Sequence, residues 1–75
     1  YMALYLENTG KVFFRNGLPS SIFWKPEVLE DQDLSAEVLQ LEANEELRVC
    51  GFNVKVGEVK FEEDTNVLFA RVWWR

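Results

Sequence analysis

Histidine is absent from this 75-residue chain, and cysteine occurs only once, at Cys50. Without histidine the usual proton-transfer group at neutral pH is missing. Cys50 lies in an apolar run with no neighbour in sequence that would activate a thiolate, so the common nucleophile and base pairings cannot be built and no enzymatic activity is expected. One cysteine also excludes an intrachain disulfide and a soft-ligand set for zinc, which points to a reducing compartment. Glycine is sparse: Gly10, Gly17, Gly51 and Gly57 form no GxGxxG or Walker pattern, so no phosphate cradle and no cofactor are expected, and each glycine reads as a turn or bulge residue. No apolar run approaches the roughly 20 residues that span a bilayer, and nothing resembles a secretory signal. The expectation is a cytoplasmic protein without membrane attachment, with Tyr1 a remnant of expression ahead of a native Met2.

Basic residues are missing from one long stretch. Between Glu27 and Glu46 the chain holds eight acids and no lysine or arginine, so this window carries −8 while the remainder, with 8 bases against 5 acids, carries +3. One face or loop is therefore expected to be negative, and the body need not be. Such a segment can bind a basic protein, hold a cation, imitate nucleic-acid phosphates or keep a small apolar domain soluble.

What is present is enough to fold. An apolar fraction of 48% and an aromatic fraction of 15% set the chain apart from acidic disordered segments. Its length allows a single domain, residues 1–75, with a thin stability margin. Residues 3–7 and 11–15 are apolar runs around Asn8-Thr9-Gly10, where Gly10 can supply a positive φ, and predict a β-hairpin. Asn16-Gly17 is a second turn signal, with residues 18–21 continuing as loop before the apolar cluster Ile22-Phe23-Trp24. Pro26 suits the first position of a short helix through Asp31. Beyond it, Ser35 is placed to cap a helix over 36–43 with Asn44 as its left-handed stop, although Leu39, Leu41 and Ala43 also alternate as a strand would. Residues 47–56 read as a strand with a bulge at Gly51. The C-terminal runs 58–62 and 67–74 flank the polar turn 63–66 and predict an antiparallel hairpin, in which Leu68, Ala70, Val72 and Trp74 face one way and Val67, Phe69, Arg71, Trp73 and Arg75 the other. The predicted fold is mainly β: a small antiparallel meander or partly open barrel of five or six strands, with one short helical segment between residues 26 and 43. The alternative is α+β, with a single helix on one sheet.

Residues 31–42 follow the spacing of an EF-hand calcium loop, with Asp31, Asp33 and Ser35 at positions one, three and five and Glu42 at twelve. Ala36 stands where the loop needs glycine, Leu39 offers no oxygen at position nine, and Pro26 interrupts the entering helix. The segment therefore reads as a solvated acidic stretch, with no metal expected and those four residues the ligands if a cation were held.

The aromatics exceed what so small a core can hide, and adjacent Trp73 and Trp74 must point to opposite sides of one strand, so at least one is expected at the surface. Large rigid aromatics flanked by Arg71 and Arg75 suit an interface with a protein partner or a second copy in a homodimer. Phe13, Arg15, Phe69, Arg71 and Trp73 could form a stacking platform for nucleic acid, but the overall charge of −5 argues against direct nucleic-acid binding. The functional expectation is a non-enzymatic protein-interaction domain. In character it is similar to the small inhibitors that viruses direct against host defences, or to an adaptor. It would bind a basic protein through Glu30, Asp31, Asp33, Glu37 and Glu42 together with Arg71 and Trp73. A nucleic-acid-binding or calcium-binding module, or a structural homo-oligomer, is the alternative.

Overall fold

The computed structural model describes residues 4–6, 10–31 and 34–74. They form six strands and two helices: β1 (Leu4–Tyr5), β2 (Lys11–Arg15), β3 (Leu18–Trp24), α1 (Val28–Asp31), α2 (Ala36–Val49), β4 (Val54–Val56), β5 (Lys60–Glu62) and β6 (Val67–Trp74). All pairings are antiparallel, in the order β1-β2-β3-β6-β4, and β5 runs along the same edge of β6 as β4. The mainly β class with one principal helix is as the sequence predicts. The sheet is open rather than closed into a barrel, and the helical part extends beyond residue 43.

Both predicted hairpins form. Tyr5 pairs with Lys11, and Glu62 pairs with Val67 across the turn that ends at Asn66, whose φ is 56°. The Asn8-Thr9 part of the first turn lies outside the described residues. A third hairpin stands where a loop was expected. Asn16 and Gly17 both have positive φ, 55° and 78°, and Arg15 pairs with Leu18. That is the two-residue turn whose twist matches the flanking strands, so residues 18–21 are drawn into β3. Pro19 is tolerated there because the register slips by one residue between Phe13 and Phe14, leaving Ser20 unopposed beside it.

The segment 44–49 corrects the sequence reading most. It continues α2 rather than stopping the helix at Asn44 or starting a strand at Leu47. Ser35 caps the N-terminus as expected, its Oγ accepting from the Val38 N–H at 3.3 Å. The helix then runs on because Leu39, Ala43 and Leu47 recur every four residues and are all fully buried. It ends at Gly51, which has φ 98°. The Gly51 N–H donates to the Arg48 carbonyl and the Phe52 N–H to the Leu47 carbonyl, each at 3.0 Å. This is the paired helix-end arrangement that requires a left-handed residue, so Gly51 stops a helix rather than bulging a strand. Cys50 accordingly sits exposed at the helix end, not within an apolar strand.

The core lies between the sheet and α2. Val12, Ile22, Val56 and Ala70 supply its sheet side and Leu39, Ala43 and Leu47 its helix side, with Trp24, only 1% exposed, filling the volume that Gly10 leaves open. Two helix side chains also close the outer edge of β4. Asn44 Oδ1 accepts from the Val56 N–H at 2.8 Å, and Gln40 Nε2 donates to the Val56 carbonyl at 3.2 Å. An unpaired strand edge is a template for further pairing, and here side chains occupy it. No helix among the described residues is long and apolar enough to cross a membrane.

Candidate functional site

Strand alternation gives the sheet two faces, and α2 covers only one of them. The other face is laid out by the pairing register. Tyr5, Lys11, Phe23, Phe69 and Lys60 form one row across β1, β2, β3, β6 and β5. Phe13, Ser21 and Arg71 form the next, and Trp73 opposite Lys55 a third. With neighbouring strands about 4.8 Å apart, the first row spans roughly 19 Å.

The aromatic rings in these rows touch. Phe13 and Phe23 have centroids 5.0 Å apart in an edge-on arrangement, and Phe23 and Phe69 are likewise 5.0 Å apart with a tilt of 55°. Both geometries suit the ring quadrupole. Lys11 Nζ sits 5.1 Å from the Phe13 centroid and 5.9 Å from that of Tyr5, within range of cation–π attraction. Trp73 lies across Gly57, where an added Cβ would fall 2.5 Å from the indole. A glycine just past the end of β4 is thus what lets this ring lie down on the sheet. Tyr5, Phe13 and Trp73 remain 64%, 42% and 52% exposed, and among the described residues no element packs over them. A shallow groove of about 330 Å³ runs between Trp73, Phe69 and Arg71 on one side and Glu58, Lys60 and Glu62 on the other. Lys60 Nζ and Glu58 are 3.9 Å apart across its rim.

The described acids of the 27–46 window sit behind the sheet. Glu27 and Glu30 flank or lie in α1 and are exposed, as are Glu37, Glu42 and Glu45 on α2. Glu30, Glu37 and Glu42 are therefore in the helical layer, whereas Arg71 and Trp73 are on the sheet face that α2 does not cover. The residues expected to form one partner surface are split between two. Asp33, Arg75 and the side chain of Asp31 lie outside the described residues. Of the four residues with calcium-loop spacing, Ser35 is engaged as the α2 cap and Glu42 lies seven residues further along the same helix. That places their backbones about 10 Å apart along the axis. An EF-hand loop instead folds back on itself so that its first and last ligands converge, and residues 36–42 are regular helix here.

Trp73 and Trp74 are both about half exposed, 52% and 48%. Trp74 is on the helix side of the sheet, as alternation requires, but at the end of β6 it is not enclosed in the core. Of the platform expected from Phe13, Arg15, Phe69, Arg71 and Trp73, the register places Phe13, Phe69, Arg71 and Trp73 on one face, while Arg15 lies at the end of β2 beyond the register slip, opposite Leu18. Sequence reasoning missed Tyr5, Lys11, Phe23, Lys55 and Lys60, although Lys11 and Phe13 already share strand parity. No family model, curated protein or solved structure matches the chain.

Proposed function

We propose that the protein is a non-enzymatic interaction domain whose working surface is the helix-free face of the sheet. The observation that carries this reading is the set of touching rings Phe13, Phe23 and Phe69, left open among the described residues and bordered by Lys11, Arg71 and Trp73. Apolar area of this kind, interleaved with cations, is what a small fold buries unless it serves binding. The partner that fits presents flat apolar groups together with negative charge.

A second reading rests on α2. Leu41 and Val49 are 69% and 82% exposed beside Glu37, Glu42 and Glu45, and an acidic helix face with apolar contacts suits a basic protein, as an inhibitor or adaptor would require. The two readings separate experimentally because the surfaces lie on opposite sides of the sheet. Partner capture from source cells is compared for the parent chain, for Lys11→Glu with Arg71→Glu, and for Glu37→Lys with Glu42→Lys and Glu45→Lys. Loss of the partner with the sheet-face changes alone supports the first reading. Loss with the helix changes alone transfers the working surface to α2, and capture unaffected by either set rejects both.

A further inference from the structure

The formal charge of −5 weighs against nucleic acid only if the charge is spread evenly, and it is not. The exposed acids of α1 and α2 lie on the helix side of a fold whose thinnest Cα dimension is 19 Å. That is about twice the screening length of roughly 8 Å at physiological salt, so a ligand on the opposite face is largely screened from them. What such a ligand meets is Lys11, Lys55, Lys60 and Arg71 against Glu58 and Glu62, with Lys60 and Glu58 paired on the same rim of the groove.

Resting on the reading of this face as the working surface, we infer that its partner is single-stranded nucleic acid. Bases stack on Trp73, Phe69 and Phe13, and phosphates are held by Lys11, Lys55 and Arg71. Charge complementarity selects a polyanion over a second copy of this chain, because face-to-face packing of two copies would set one net positive face against another. The flatness of the face and the abundance of rings select bases over an acidic peptide. Peptides dock by adding a strand to a sheet edge or by seating side chains in pockets. Among the described residues this surface is a sheet face with a shallow groove, and an open aromatic platform beside cations is the arrangement on which successive bases stack without sequence preference. A duplex hides its base faces and cannot use the platform.

The test is fluorescence anisotropy of labelled oligo(dT) and oligo(U), about 15 nucleotides long to cover one site, titrated with the full chain. Saturable binding is expected, with weaker binding of a duplex of the same length. If three cations contact phosphate, affinity should fall about twentyfold between 50 and 200 mM salt. Trp73→Ala should weaken binding roughly tenfold through lost stacking. Arg71→Glu, at an exposed position, should weaken it without lowering the melting temperature, which covers the case in which Trp73→Ala disturbs folding. The inference is overturned by absence of binding at 50 mM salt, by affinities indifferent to both variants, or by oligoglutamate competing as well as unlabelled oligo(dT). If the oligonucleotides fail while partner capture still depends on Lys11 and Arg71, the ligand assignment falls and the working surface stands. If capture is indifferent as well, both fall.

Discussion

Replacing Asn44 with alanine removes a side chain that serves two backbones at once. Its Oδ1 accepts from the Val56 N–H at 2.8 Å, and its Nδ2 donates to the Gln40 carbonyl at 3.0 Å. Val56 is fully buried and its N–H points away from β6, so truncation leaves that donor without its partner. An unsatisfied buried donor costs about 1–3 kcal/mol. The bond to Gln40 is local and its carbonyl already lies within a helix, so it adds little. Alanine is a better helix former than asparagine by about 0.5 kcal/mol, which offsets part of the loss. The net expectation is a destabilisation of about 1–2 kcal/mol. In a domain of this size each kcal/mol corresponds to about 4–8 °C, so the melting temperature should fall by roughly 5–15 °C. Thermal and urea unfolding followed by tryptophan fluorescence measures this, since Trp24 is buried and reports on the core. Asn44→Asp separates the terms, because it keeps an acceptor for Val56 and loses the donor to Gln40. It should retain more stability than Asn44→Ala. An alanine variant as stable as the parent would refute the assignment of Asn44 as the clamp on β4.

Leu47→Ala should cost about 2–5 kcal/mol, because Leu47 is fully buried and anchors the last turn of α2; a loss below 1 kcal/mol in urea unfolding would contradict its place in the core. Gly51→Ala should cost about 1–2 kcal/mol from the left-handed conformation alone, as there is open space around the position, and a neutral result by the same assay would mean the helix end rearranges freely. Gly57→Ala should lift the Trp73 indole off the sheet, shifting its fluorescence and weakening any ligand of the open face, and unchanged spectra would show that the ring does not lie across Gly57.

The hairpins were legible because their turns are written in Asn, Gly and acidic residues beside strand-forming runs. Strand β3 was less so: Pro19 and two serines look like loop, and only the positive φ at both Asn16 and Gly17 turns the chain straight back into pairing. The extension of α2 was masked by an accidental alternation. Leu47 and Val49 suggest a strand, yet Leu47 is fully buried while Val49 is 82% exposed, which is what a helix does with residues two apart. Gly51 was visible as a break, but whether a glycine stops a helix or bulges a strand depends on the carbonyls behind it. At the candidate site, parity along β6 placed Phe69, Arg71 and Trp73 on one face. The partners Lys11, Phe23 and Lys60 needed the register between strands, which is a nonlocal property. Net charge does not describe the chemistry of any one face, because a sum over the chain carries no direction.

Direction is what the layered arrangement adds. With an excess of exposed carboxylates behind and an excess of lysine and arginine in front, charge is distributed unevenly across the sheet. A negatively charged partner approaching in solution then exerts a torque as well as a force, turning the cationic face toward itself before contact. Encounters that begin in the wrong orientation are corrected rather than wasted, and added salt should slow association more than it speeds dissociation.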